Sequence, residues 1–256
     1  MDPVLAHRPD EAARSVRIPT GRDPGWPARA VWAAPGSPFA EAFRHLALRV
    51  RTGLERAGAS SVLVTSALPQ EGKTVTACNL ALALASLSPM ERVALVDFDL
   101  RLPGVARALQ LEARIGLADV LRGDAPLHAA ALVTEAGLDV YPNAAPSTAA
   151  HELLVRGEVP DVLKRLQAQY RWVVCDAPPL LPVPDVELLI PHLGGCLAVV
   201  RAGSTRRSVL REFWDEIPRE KTLGFFLNDM RPPAHARRYH RSGYYTDLDS
   251  DPVRAR

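Results

Sequence analysis

Along the chain, short continuous apolar runs alternate with stretches of helical period, and this alternation predicts the elements. Residues 1–38 show neither pattern. They carry seven prolines and several arginines, too little apolar surface to offset the entropy of ordering, so they are expected to form a flexible arm. From Phe39 the composition changes. Phe39, Phe43, Leu46, Val50 and Leu54 recur at helical spacing, with Glu41, Arg44, Arg49, Arg51 and Arg56 on the other face. This predicts an amphipathic helix of about four turns, ended by Gly58. The apolar run 62–64 predicts a buried strand, followed by a helix over 75–86 with alanines and leucines on most faces. Further strands are expected at 92–97, 138–141, 172–176, 197–200 and 224–227, and further helices at 105–109, 159–170 and 205–214. Strands that are continuous apolar runs, alternating with helices, predict an α/β fold with a mostly parallel sheet covered on both faces. In such a sheet the ligand sits at the carboxyl ends of the strands. Hydrophobic periodicity is lost again from 231 to 256. The expected organisation is therefore an arm over 1–38, one domain over 39–230 and a disordered tail over 231–256.

Composition narrows the class without naming a partner. The 256 residues are 47% hydrophobic and 23% charged, with a formal net charge of +2, ordinary values for a globular protein. So small a charge does not point to nucleic acid. The three cysteines, Cys78, Cys175 and Cys196, stand singly in apolar stretches and are expected to be core thiols in a reducing compartment. No apolar run approaches the roughly 20 residues that cross a bilayer, and the first residues lack a hydrophobic signal core. A cytoplasmic protein is expected. Lysine is scarce, confined to Lys73, Lys164 and Lys221, which makes the setting of Lys73 informative.

That setting is a run starting at Ser61, Ser-Val-Leu-Val-Thr-Ser-Ala-Leu-Pro-Gln-Glu-Gly-Lys-Thr-Val-Thr. A strand, a glycine-containing loop and a helix N-terminus in that order make a phosphate cradle, with free backbone N–H groups and the positive end of the helix dipole facing the anion. Lys73 is placed to reach the β- and γ-phosphates, and the Thr74 hydroxyl to ligate Mg²⁺. Ala67 occupies the position of the usual first glycine. The strand at 92–97 runs into Asp97-Phe-Asp-Leu-Arg-Leu-Pro103. Residues i and i+2 of a strand share a face, so Asp97 and Asp99 are expected to project together, with a cation between them. The strand at 172–176 ends in the lone carboxylate Asp176 and two prolines, the shape of a Walker B strand whose Asp holds the Mg²⁺ water shell. Beyond 231, Tyr239, Tyr244 and Tyr245 lie among Arg237, Arg238, His240 and Arg241.

Together these motifs resemble the bacterial tyrosine autokinases (BY-kinases) of capsule and exopolysaccharide systems, members of the deviant P-loop ATPase group that includes ParA and MinD. The resemblance covers roughly residues 39–245. It rests on the Walker A-like run 65–74, the Asp-x-Asp-x-Arg of Asp97, Asp99 and Arg101, the Walker B-like run 174–179 and the tyrosine tail. The runs 146–154 and 223–228 also look familial. It implies a P-loop NTPase three-layer sandwich, ATP and Mg²⁺ as cofactors, and phosphoryl transfer to tyrosine that regulates polysaccharide polymerisation and export. By the resemblance, Pro69, Gln70, Glu71, Gly72, Lys73, Thr74 and Val75 bind the nucleotide. Thr74, Asp99 and Asp176 hold the metal directly or through water. Lys73, Asp97, Asp99 and Arg101 are catalytic, with Asp97 facing the tyrosine hydroxyl, and Tyr239, Tyr244 and Tyr245 of a neighbouring subunit are the acceptors. A homo-oligomer, a membrane-embedded polysaccharide co-polymerase acting as activator and a phosphotyrosine phosphatase are the implied partners. They place the chain at the inner membrane through its activator. The family's first helix usually reads Glu-x-x-Arg-x-x-Arg; here Glu41 and Arg44 are followed by Ala47.

The main alternative is a ParA- or MinD-type positioning ATPase without kinase activity. Those proteins carry a lysine early in the phosphate loop, where this chain has Leu68. An ATP-binding adaptor without turnover and a nucleic-acid binder built on the basic tail are the remaining readings. The second has no recognition fold to support it, so no nucleic acid is expected.

Overall fold

The structure, a computed structural model, describes residues 14–21, 26–156 and 158–230. In chain order the first elements are β1 (Arg14–Val16), α1 (Ala30–Ala33), α2 (Pro38–Arg56), β2 (Ser61–Ser66), α3 (Lys73–Leu87), β3 (Val93–Asp97), α4 (Val105–Leu109) and α5 (Leu117–Arg122). They continue with β4 (Leu132–Thr134), β5 (Leu138–Tyr141), α6 (Ala150–Val155), α7 (Glu158–Gln169), β6 (Trp172–Asp176), α8 (Asp185–Leu189), β7 (Gly195–Arg201), α9 (Arg207–Glu216) and β8 (Thr222–Asn228). Among the described residues the strands form one eight-stranded sheet in the order β1-β4-β5-β3-β6-β2-β7-β8. Every neighbouring pair is parallel except β4–β5. The expected three-layer α/β sandwich is therefore present.

Strands β2, β3 and β6 are buried along their whole length, as strands covered by helices on both faces must be. One face packs against α2, α3 and α4, with Phe43, Val50, Leu54, Leu80 and Leu84 in its core. The other packs against α5 to α9 through Leu121, Leu153, Leu163, Leu166 and Phe213. α2 is amphipathic and starts cleanly: the Ser37 hydroxyl accepts a hydrogen bond from Ala40 N at 3.1 Å, and Pro38 stands at the first helical position. α3 is apolar on nearly all sides, because it lies between the sheet and α2 rather than at the surface. Each fully buried Phe or Leu contributes roughly 1.5–3 kcal/mol of transfer free energy, so these two layers hold the sheet in place beneath the site. Ala47 is among the α2 residues that face this core, while Glu41 and Arg44 pair at 2.8 Å near the helix start.

The N-terminal expectation needs correction. Of the supposed arm, residues 14–21 and 26–38 belong to the fold. β1 extends the sheet beside β4, and Ile18, Ala28 and Val31 are core residues. What holds them is side-chain-to-backbone bonding rather than periodic burial. The fully buried Arg29 donates from Nε to Pro19 O at 3.0 Å and from Nη2 to Gly21 O at 3.1 Å. Asn79 of α3 accepts from Val31 N at 3.0 Å and donates to Pro27 O at 2.7 Å, and Trp32 Nε1 donates to Ile18 O at 3.1 Å. Such bonds leave no trace in hydrophobic patterning. The expected tail over 231–256, with Tyr239, Tyr244 and Tyr245, lies outside the described residues.

Among the described residues no helix is long and apolar enough to cross a membrane. Cys78, Cys175 and Cys196 are free and buried, and burial raises all three thiol pKa values, that of Cys196 to about 12.

Candidate nucleotide site

At the carboxyl end of β2 the chain curls through 67–72 into α3. Gln70 and Gly72 take positive φ of 65° and 94°, the left-handed region that folds the backbone back on itself. Gly72 is needed twice over. A Cβ there would also lie 2.0 Å from the Asn228 amide nitrogen, which donates to Glu71 O at 3.0 Å. Ala67, by contrast, has no positive φ and is packed into the core at 1% exposure. The missing first glycine therefore costs this loop nothing. The first amides of the 15-residue α3 have no partner within the helix and follow directly on the loop amides of 70–72, the arrangement an anion cradle requires. Glu71 is an exception among the expected nucleotide contacts. Its side chain is buried in the loop, Oε2 accepting from Leu68 N at 2.9 Å and Oε1 from the Thr205 hydroxyl.

Three carboxylates gather beside this cradle. Lys73 Nζ bonds Asp99 Oδ2 at 2.7 Å. Burial lowers the Lys73 pKa, but attraction to Asp176, Asp99 and Asp97 outweighs it, and the ammonium ends above its ordinary value. Asp176 stands at the tip of β6 in register with Asp97 on β3. It is fully buried, and neither of its oxygens has a hydrogen-bond partner. Apart from Thr76 Oγ1, these are the only such side-chain atoms among the described residues. Burial raises the Asp176 pKa to about 6, against the pull of Lys73 and the neighbouring Thr74 hydroxyl.

Asp97 and Asp99 do not share a strand face as expected. β3 ends at Asp97, and the chain turns at once, Asp99 N donating to Asp97 Oδ1 at 3.2 Å. Short Asx contacts of this kind compete with the ladder and stop a strand. Asp97 Oδ2 accepts from Gly104 N and Val105 N, both at 3.1 Å, and the side chain is fully buried. Both Asp97 oxygens thus accept from backbone amides, and Asp97 orders the loop 98–105. Burial first, then Asp176, pushes its pKa well above the usual carboxylate range.

Arg101 lies on the rim of the site. Its guanidinium is clamped by Asp185 of α8, Nε to Oδ2 at 2.6 Å and Nη2 to Oδ1 at 3.0 Å, and His151 Nδ1 lies 3.4 Å from the same carboxylate. Asp185 and Asn143 were not singled out in the sequence. Asn143 Nδ2 donates to Asp97 O at 2.7 Å and its Oδ1 accepts from Ala118 N at 2.8 Å, which ties α5 to the carboxylate loop. Neither carries a local motif, since each acts on a residue more than 20 positions away.

The donors suit Mg²⁺. Among the described residues no group of three or more His, Cys, Asp or Glu forms a ready cage. Mg²⁺ instead takes one or two carboxylates and completes its octahedron with water and phosphate oxygens. A hydroxyl at Thr74 and an unpartnered carboxylate at Asp176 beside an anion cradle meet that need.

No family model matches the chain. The tyrosine-protein kinase YwqD of Bacillus subtilis (strain 168) is 31% identical over 208 residues, 78% of this chain and 85% of that protein. The succinoglycan biosynthesis transport protein ExoP of Rhizobium meliloti (strain 1021) is 32% identical over 229 residues, 86% of this chain, but these span only 28% of ExoP. The kinase domain of the Escherichia coli tyrosine kinase ETK superposes with a TM-score of 0.73 at 25% identity, covering 80% of this chain and 81% of that one. MinD of Pyrococcus horikoshii OT3 reaches a TM-score of 0.54 at 23% identity, a likeness of fold alone. Phosphate loop, paired aspartates and Walker B carboxylate thus stand on a frame shared with named kinases, and the chain belongs to the family of bacterial tyrosine kinases.

Proposed function

We propose that this chain is an ATP-dependent protein-tyrosine autokinase that regulates exopolysaccharide or capsule polymerisation and export. The observation that carries this reading is Asp176: a fully buried carboxylate with both oxygens unpartnered, beside Thr74 and Lys73 at the start of α3. Burying a carboxylate without a partner is costly, and such groups concentrate at functional sites. Mg²⁺, when bound, supplies charge neutralisation on the phosphate oxygens. In the proposed cycle the loop amides and Lys73 hold the β- and γ-phosphates, Lys73 leaving Asp99 to do so. Thr74, Asp99 and Asp176 offer the oxygen donors for the metal. Asp97 keeps the loop 98–105 in place, and Arg101 stands at the mouth. An acceptor hydroxyl with an ordinary pKa near 10 is not ionised beforehand by a carboxylate, so orientation precedes a late proton transfer.

The acceptors proposed are Tyr239, Tyr244 and Tyr245 of a second copy. ExoP is named a transport protein of succinoglycan biosynthesis, which supports a membrane-embedded polysaccharide co-polymerase as activator, with a phosphotyrosine phosphatase as counterpart. The test is transfer of label from γ-labelled ATP with Mg²⁺ to tyrosine, in the presence of an activator fragment. Lys73→Ala and Asp176→Asn are expected to abolish it. ATP hydrolysis without phosphotyrosine would instead favour the positioning-ATPase alternative.

A further inference from the structure

The phosphate loop is tied to two elements far along the chain. Glu71, at 4% exposure, spends both carboxylate oxygens away from the cradle: Oε2 on Leu68 N at 2.9 Å, within the loop, and Oε1 on the hydroxyl of Thr205. Thr205 belongs to the turn between β7 and α9, 134 residues downstream. Its amide is fixed in turn, donating to Arg201 O at 3.2 Å. On the other side of the same residue, Asn228 at the end of β8 donates to Glu71 O at 3.0 Å and fills the space that a Cβ on Gly72 would occupy. Ser66 Oγ closes the loop from within by donating to Leu68 O at 2.8 Å. The loop carries positive φ at both Gln70 and Gly72, a backbone that persists only when its surroundings over-determine it.

We propose that Thr205 is a positioning residue for nucleotide binding: through Glu71 it holds the phosphate loop in its anion-binding shape without touching the nucleotide. The inference rests on the nucleotide-site reading above and deepens it. It assigns Glu71 to the loop's internal scaffold instead of to the ligand. A charge-assisted hydrogen bond to a buried carboxylate is among the stronger contacts, and removing its donor leaves that carboxylate short of a partner. The loss appears wherever the loop amides must meet phosphate.

Three variants test this, with Mg-ADP affinity by calorimetry, the KM for ATP and the KM for a tyrosine peptide as readouts. Thr205→Val keeps the shape and removes the hydroxyl. It is expected to weaken Mg-ADP and raise the KM for ATP roughly tenfold, about 1.4 kcal/mol, with the peptide KM unchanged. Thr205→Ser is expected to restore both. In a Glu71→Ala background, Thr205→Val is expected to add nothing, because its partner is already gone. Wild-type affinity in Thr205→Val, no rescue by serine, or additive losses in the double variant would each overturn the inference alone. A wild-type chain that binds no nucleotide overturns the nucleotide-site reading and this inference with it.

Discussion

Asp176→Asn is the sharpest probe of the site, because the structure predicts that it stabilises the protein while destroying its function. In the folded chain the carboxylate is fully buried without a partner, and its pKa is raised to about 6 from an ordinary 3.8. Two units correspond to roughly 3 kcal/mol at 1.36 kcal/mol each. Below about pH 4 the folded and unfolded states are both protonated, and the penalty is absent. Between that value and about 6 the folded protein binds the proton more tightly, so stability falls as the pH rises through this window and stays lowered above it. Asparagine has nearly the volume of the acid and never ionises. At pH 7.5, without nucleotide, Asp176→Asn is therefore expected to be more stable by about 2–3 kcal/mol, some 5–10 °C in a domain of this size. At pH 4 the difference is expected to vanish. Thermal unfolding at both pH values, with and without Mg-ADP, reads all of this. Mg-ADP is expected to raise the wild-type midpoint by mass action and to leave the variant's nearly unmoved. A variant less stable than wild type at pH 7.5, or a difference independent of pH, would refute the claim that Asp176 is a buried charge that Lys73 and Thr74 only partly offset.

Other positions give further tests. Gly72→Ala forces a side chain into φ 94° and against the Asn228 amide, so a loss of about 1–3 kcal/mol and of Mg-ADP binding is expected by calorimetry. Arg29→Ala removes the buried guanidinium from the carbonyls of Pro19 and Gly21. It is expected to cost about 2–4 kcal/mol by the buried-group mechanisms that give large single-mutant effects, and to open residues 14–21 and 26–37 to protease before the rest of the domain. Asp185→Asn weakens the clamp on Arg101, and its effect is expected in peptide phosphorylation with Mg-ADP affinity retained.

How much of this was legible depends on what kind of force placed each residue. The strands β2, β3 and β6 are continuous apolar runs, and the helices α2 and α7 carry a clear apolar face, so hydrophobic patterning found them. The three-residue β1 and β4 are too brief for any period to show. Lys73, Thr74 and Asp176 came from local motifs, and the structure brings all three together. Arg29, Asn79, Asn143 and Asp185 act through side-chain bonds to distant residues, so no local window contains their meaning. The paired aspartates mark the boundary between the two cases. Their spacing was plain, but how each is held depends on where β3 stops. That was decided by the amides of Gly104 and Val105 rather than by the alternation of a strand.

The central claim is that this site transfers phosphate to the tyrosines of a second copy. The most direct measurement mixes a Lys73→Ala chain, which keeps its tail, with a catalytically intact chain in which Tyr239, Tyr244 and Tyr245 are all Phe. ATP, Mg²⁺ and an activator fragment are supplied, and phosphotyrosine is mapped on each chain by mass spectrometry. Phosphate on Tyr239, Tyr244 or Tyr245 of the Lys73→Ala chain, with none on either protein incubated by itself, is the predicted result. ATP consumed with no phosphotyrosine on either chain, or label that persists on the triple-Phe chain alone, would contradict it.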